Sequence, residues 1–446
     1  MGNTMVQAAG DGLRAWTWRR TLCRLAIVAC AVAFTGAAAQ AELALPWAPA
    51  KPKAATPQQQ PPGTAAAANP AALKLTAQAA QLMQQRKYDE ALPLLDKALA
   101  LEPKFVSALR LRAFVRLHKN QRPQALADLS EVLRLNPKDA AVLLTRGTVL
   151  AIAKQYDSAL ADFDRALVID PKNASAIVGR GRVFRLKGES EKALAEYDRA
   201  AALNPKEAGA YLGRGIVYMG QGQTDKALAQ FDRALAISPK HAETLAERGW
   251  ALLVKGRPTE ATADFDRALE NNPTSLHATL GRGMAMAATG QHERAIVAFD
   301  QVIDRGVDDP LPYLLRGRAL LTKGDVDRAM TDFDQALKLR PKLAEALTSR
   351  GMGWLKKRDY TNALADLDQA IAQEERVESY YARAQIYETQ GNADRALADF
   401  RKATELAPKG VFDAVAQASA KKRIEQLSKQ VPCAGSGRTS GNETCL

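Results

Sequence analysis

From Ala72 onward, apolar residues fall at three- and four-residue intervals between polar ones, the spacing of a single helical face. This pattern breaks at short turn signals and then starts again, with a period of 34 residues. An alanine marks the beat at Ala91, Ala125, Ala159, Ala193, Ala227, Ala261, Ala295, Ala329 and Ala363, and returns at Ala396 after a step shortened by one residue. Four residues after each alanine stands a large apolar residue: Leu95, Leu129, Phe163, Tyr197, Phe231, Phe265, Phe299, Phe333, Leu367 and Phe400. Prolines close most units, from Pro103 to Pro408, and in seven units a glycine (Gly147, Gly181, Gly215, Gly249, Gly283, Gly317, Gly351) precedes the alanine by twelve residues.

Each beat reads as a pair of antiparallel helices. Small residues such as Gly147 and Ala159 let the two helices approach, and the Phe163 type of residue fills the space between them. Proline ends the second helix because it cannot donate to the next turn. Pro123 and Pro258 fall near a first helical turn, where the missing N–H costs little. One hairpin cannot cover its own apolar face, so the units must stack.

Glycine, alanine, aromatic and proline together make the chain resemble the tetratricopeptide repeat family over residues 72–410. The resemblance implies an all-α, right-handed superhelical solenoid of ten two-helix units. Its ends read as caps. The first unit has Gln78 where later units have arginine, and Pro93 lies inside its second helix. Residues 411–430 form a capping helix, with Phe412, Val415, Ile424 and Leu427 as its apolar side.

The rest of the chain adds an address. Arg14, Arg19, Arg20 and Arg24 precede an apolar run from Leu25 to Ala39, and Ala39-Gln40-Ala41 is a small-x-small cleavage signal. Residues 1–41 therefore read as a secretory signal cut before Glu42. Ile27-Val28-Ala29-Cys30 as a lipoprotein box and Arg19-Arg20 as a twin-arginine signal are the alternatives, each with poorer flanks. Residues 42–71, rich in Pro, Ala and Gln, read as a linker. Removing the signal leaves 58 basic and 48 acidic groups, a net charge of +10. A lipid anchor in the envelope, through Cys30, is the alternative. Export to the periplasm by this signal removes Cys23 and Cys30 and leaves Cys433 and Cys445 as the only cysteines. An oxidising compartment predicts a disulfide between them that closes the polar tail 431–446.

Two charged columns run through the repeats. Arginine stands where the family usually has leucine, at nine places from Arg112 to Arg383. The second helix of each of those units carries an acid: Asp128, Asp162, Glu196, Asp264, Asp332, Asp366 and Asp399 at one position. Asp232 and Asp300 stand at an alternate position in the two units that lack it. Pairs between the two helices of a unit explain this co-occurrence; a ladder for an acidic ligand is the alternative. Lysines follow the prolines at Lys104, Lys138, Lys172, Lys206, Lys240, Lys342 and Lys409. They complement helix C-termini, or they form a rim that attracts polyanions or an anionic membrane surface.

In the family the first helices line an inner face where ligands bind. The resemblance carries that role here to Phe114, Leu117, Leu144, Ile152, Val178, Leu186, Leu212, Ile216, Met219, Trp250, Leu253, Val254, Leu280, Met284, Leu314, Leu321, Met352 and Leu355. An apolar strip of this length predicts an occupant, unless the repeats pack it against itself or the linker fills it. Charged exceptions include Arg110, Arg182, Arg185, Arg318, Glu345, Lys356 and Glu378. The four histidines are scattered, and no phosphate loop, nucleophile elbow or Cys/His pairing is present. No cofactor, metal, catalysis or nucleic-acid partner is expected. The functional reading is a protein–protein scaffold that holds an apolar or amphipathic segment. Binding to a polyanion or membrane surface through the lysine rim, and self-association, are the alternatives.

Overall fold

A computed structural model describes residues 69–409 and 411–430. Residues 1–41, the linker up to residue 68 and the Cys433–Cys445 pair lie outside the described residues. Among the described residues every regular element is a helix, 21 in all. They fall into two compact units, one up to Val217 with Ala236–Ser238, the other Tyr218–Leu235 with the chain from Pro239.

In the N-terminal unit α1 (Pro70–Gln84) pairs with α2 (Tyr88–Leu101), and α3 (Val106–His118) with α4 (Arg122–Leu135). Then α5 (Ala140–Ile152) pairs with α6 (Tyr156–Ile169), and α7 (Ala174–Leu186) with α8 (Ser190–Leu203). The fifth repeat contributes α9 (Ala208–Gly220) and α10 (Thr224–Ile237). In the C-terminal unit the hairpins are α11 (Ala242–Val254) with α12 (Pro258–Asn271), and α13 (Leu276–Ala288) with α14 (His292–Ile303). They continue as α15 (Pro310–Lys323) with α16 (Val326–Leu339), α17 (Ala344–Lys356) with α18 (Tyr360–Gln373), and α19 (Val377–Thr389) with α20 (Ala393–Glu405). The last helix is α21 (Val411–Gln430).

In several hairpins the aromatic does more than fill the space between the helices. A Cβ on Gly147 would lie 3.0 Å from the Phe163 ring, and one on Gly179, in the next repeat, only 2.4 Å from it. Phe163 is therefore wedged between α5, α6 and α7. Phe265 repeats this arrangement between Gly249 and Gly281, where Cβ atoms would come within 2.8 and 2.4 Å. The residue that closes one hairpin thus also seats the next, and these rings are fully buried. That dual contact makes stacking cooperative rather than a sum of independent hairpins.

The turn between the two helices is fixed by backbone shape. One position in it takes positive φ in every repeat: glycine at Gly188, Gly222, Gly256, Gly290, Gly324 and Gly391, but Arg86, Asn120, Lys154 and Arg358 in the others. The left-handed residue lets Asp359 N donate to the Trp354 carbonyl at 3.0 Å and Arg358 N to that of Leu355 at 3.0 Å, closing α17. A side chain with a Cβ is strained there, by about 1–2 kcal/mol. Arg358→Gly should therefore raise stability by up to about 1 kcal/mol, the gain being trimmed by glycine's greater freedom in the unfolded chain. A chemical-denaturation midpoint that stayed put or fell would show that the turn is not strained.

The α1 helix begins two residues before the expected repeat start because Asn69 accepts from Ala71 N and Pro70 fits the first turn. At the other end α21 packs on α19 and α20. Its buried residues are Ala416, Ala420 and Asp413, with Ile424 and Leu427 partly covered. Asp413 accepts from Glu378 N at 2.9 Å and from Lys409 N at 3.0 Å. It thereby satisfies an open N–H at the start of α19. Gln417 donates to the Thr404 and Leu406 carbonyls at the end of α20. The capping helix is thus fastened by polar bonds to helix ends as much as by an apolar side. Small alanines let it come close.

Candidate functional site

Within each unit the arginine column forms a ladder of ion pairs. Arg248 donates through Nε and Nη2 to Asp264 at 2.6 and 2.7 Å, and through Nη1 to Asp232 at 2.7 Å. Arg316 does the same with Asp332 at 2.9 and 2.6 Å and with Asp300 at 2.5 Å. Arg112, Arg350 and Arg383 follow suit. One edge of the guanidinium grips the carboxylate of its own hairpin, and the free nitrogen reaches an acid of the preceding repeat. Asp232 and Asp300, expected to serve their own hairpins, are therefore bridges to the following repeat. The acid one pitch back along the stack lies closer to the spare Nη1. The fork carboxylates are almost fully buried, Asp264 and Asp332 being 3% exposed. Hydrogen bonds to the paired aspartates hold the guanidiniums of Arg248, Arg316, Arg350 and Arg383 above the usual arginine range, against the opposing effect of burial.

A second arginine set escaped the sequence reading. Arg165, Arg199 and Arg267 donate through Nη2 to the carbonyls of Pro137, Pro171 and Pro239 at 3.2, 3.4 and 3.0 Å. Each clamps the turn that ends the preceding repeat. The available signal was an arginine two residues after the aromatic in the third to sixth repeats (Arg165, Arg199, Arg233, Arg267); nothing in a single sequence says that its target is a backbone oxygen.

None of the residues proposed for the partner groove is exposed. Phe114, Leu117, Leu144, Leu212 and Met219 are buried, as are Trp250, Leu253, Leu280, Met284, Leu314 and Leu321. Ile152, Val178, Leu186, Ile216, Val254, Met352 and Leu355 are half-buried. Trp250 departs furthest from an open inner surface. It is 1% exposed, with its edge against Phe265 at 5.8 Å and its face stacked on His277 at 5.1 Å. It belongs to the main apolar cluster of the C-terminal unit. The reason is visible along the same row. First helices of successive repeats touch one another there. Arg318 donates to Ser349 Oγ at 2.7 Å and to Glu378, two repeats on, at 3.0 Å. Both members of that ion pair are 7% exposed. Burial pushes the Glu378 carboxyl up, and the charge of Arg318 opposes it. Glu345 meets Arg376 at 2.7 Å, and Lys356 donates to the Leu321 carbonyl at 2.9 Å. The charged exceptions of the row in the C-terminal unit are thus met by neighbouring side chains or a backbone carbonyl, and there the strip packs largely against itself.

In the N-terminal unit the row stays more open. Ile152, Val178, Leu186 and Ile216 are half-buried beside Arg182, and Arg110 pairs with Asp139. The seven lysines of the rim are all exposed; Lys409 meets Glu374 at 2.8 Å. His241 caps α11 by accepting from Thr244 N at 3.3 Å, and His277 faces Glu247 at 3.4 Å. The two therefore serve separate structural roles. Among the described residues no group of His, Cys, Asp and Glu is placed to hold a metal, and no helix is long and apolar enough to cross a membrane.

No curated protein matches the chain in sequence. Among solved structures it is similar to the APC/C hetero-tetramer Cut9–Hcn1, with TM-score 0.53 and 18% identity over 78% of this chain and 76% of that one. It is also similar to PilF of Pseudomonas aeruginosa (TM-score 0.42, 21% identity, 46% of this chain and 94% of that one). For yeast Tom70 the TM-score is 0.38 at 16% identity, covering 80% of this chain and 97% of that one. At these identities the likeness to Cut9–Hcn1 speaks for the fold alone. Family models described as TPR repeat or tetratricopeptide repeat match residues 82–146, 181–222, 208–241, 246–310, 288–344 and 377–409. Together they span more than half of the sequence, and the chain belongs to the tetratricopeptide repeat family.

Proposed function

We propose that this chain is a non-catalytic scaffold, exported to the periplasm, that holds an apolar or amphipathic segment of a partner protein on the first-helix row of its N-terminal unit. The observation that carries the reading is the half-buried row of Ile152, Val178, Leu186 and Ile216. Apolar side chains there share the row with buried residues such as Leu144 and Leu212, yet still have surface to offer. Partner helices dock on grooves of this kind through spaced apolar anchors. The C-terminal unit supports the array instead, because its row is occupied by its own side chains. The basic, apolar and small-x-small order of residues 1–41 supports export, with the mature chain starting at Glu42.

A photo-crosslinker at Leu186 should capture a partner in cells, and one at Val168, an 83% exposed apolar site on a second helix, should not. Capture from both sites alike, or from Val168 alone, would defeat the reading. The exposed lysine rim favours one other possibility, an anionic partner or membrane surface. Capture that collapses as salt rises from low to physiological concentration would point there, because exposed charges are screened over about 8 Å at that ionic strength.

A further inference from the structure

The arginine ladder has nine junctions between successive repeats, and at eight of them the free Nη1 meets an aspartate of the preceding repeat, from Asp96 with Arg112 to Asp368 with Arg383. Between the second and third repeats that acid is replaced by Ser130. Arg146 still grips Asp162 through Nε and Nη2, both at 2.7 Å, but its Nη1 donates to the neutral Ser130 Oγ at 3.0 Å. A cleft of about 520 Å³ opens at this junction, with α4 and α6 as its walls and α5 as its floor. Leu126 and Leu150 give it an apolar lining, and Gln155, Ser158 and Arg165 add polar groups. Two guanidiniums, Arg146 and Arg165, face one carboxylate, Asp162. The junction between the fifth and sixth repeats is balanced: there Arg248 and Arg267 meet Asp232 and Asp264.

We propose that this cleft binds an aspartate or glutamate side chain from a segment of a partner protein, its carboxylate taking the place beside Arg146 that an aspartate of the chain itself holds at the other eight junctions. The geometry for such an acid is already built, since the fork on Asp162 fixes the guanidinium plane and leaves Nη1 pointing into the cleft. The Ser130 hydroxyl, which now accepts from Nη1, can turn and donate to the incoming oxygen. Charge-assisted bonds to a preset guanidinium are directional as well as strong. Leu126 and Leu150 give apolar neighbours of the acid a surface to cover, so the ligand is an acidic residue within an apolar stretch. The site lies between second helices and does not depend on the first-helix row.

Isothermal titration of the whole mature protein with the blocked peptide acetyl-Ala-Leu-Asp-Leu-Ala-amide and with its asparagine counterpart tests the assignment. The aspartate peptide should bind at least about tenfold more tightly than the asparagine one. Ser130→Asp restores the ladder internally and should abolish binding while leaving the melting temperature unchanged or higher. Ser130→Ala keeps the vacancy and should hold the affinity within about threefold. Should Ser130→Asp fold poorly, Arg165→Gln gives the second reading: it should weaken the aspartate peptide and leave the asparagine peptide alone. Equal affinity of the two peptides, no binding of either at millimolar concentration, or full binding by a well-folded Ser130→Asp protein would overturn the proposal. Displacement of the peptide by inorganic phosphate at lower concentration than by acetate would also overturn it, by assigning the cleft to a phosphate.

Discussion

Arg248→Ala should lower the stability of the C-terminal unit by about 3 kcal/mol, the usual effect of stripping one partner from a buried ion pair. Asp264 would be left 3% exposed, having lost hydrogen bonds of 2.6 and 2.7 Å. Arg267, at 3.6 Å, would remain near it. Asp232 would lose its partner as well, but it sits in solvent and adds little. The repeat array supplies its own control. Arg282 stands in the same column, but Ala298 occupies the position of the fork acid. Its Nε is buried without a hydrogen-bond partner among the described residues, and Asp266 lies 3.4 Å from its Nη1. Arg282→Ala should therefore cost no more than about 1 kcal/mol. Lys206→Glu, on the exposed rim, should be nearly silent. Denaturation curves read by far-ultraviolet circular dichroism would rank the three. Equal losses for Arg248→Ala and Arg282→Ala would show that the fork is not what holds the hairpins.

Replacing Trp250 by glutamate should abolish cooperative folding of the C-terminal unit. Deleting a buried tryptophan alone costs about 3–5 kcal/mol, and the substitution also puts a carboxylate where Phe265 and His277 now pack. Because Phe265 also seats the next repeat through Gly281, the damage should pass across the junction rather than stay in one hairpin. Trp250→Phe, which keeps an aromatic ring in place, should cost much less. Near-ultraviolet dichroism and calorimetry of the two variants decide the matter. A Trp250→Glu protein that melts like the parent yet loses its partner would return Trp250 to the binding surface.

These two expectations mark where the sequence was legible. The Ala91-to-Ala396 beat, with its aromatic and its proline, is a one-dimensional signal, and it carried the hairpins, their number and their order. The pairing of arginines with acids was legible too, because loss of the arginine and loss of the fork acid coincide in the first repeat. The second arm of the ladder was not. Whether Asp232 serves Arg214 or Arg248 depends on the pitch of the stack, and the same sequence spacing is compatible with either. Trp250 was misjudged for a related reason: a position known to point inward becomes a binding surface or a core depending on how closely neighbouring first helices approach.

By itself, then, the sequence determined the all-helical hairpins, because period, breakers and helix propensity act within a few residues of one another. It also determined which side of each helix is apolar. Tertiary structure decided which apolar side chains remain reachable, since the Arg318–Glu378 pair joins residues 60 apart and closes a row that single hairpins would leave open. It decided as well that Ser130 stands beside a guanidinium whose counterparts elsewhere also meet an aspartate of the preceding repeat. Distances between residues of different repeats depend on the angle at which hairpins stack, and that angle is set by many packed side chains at once rather than by any local motif.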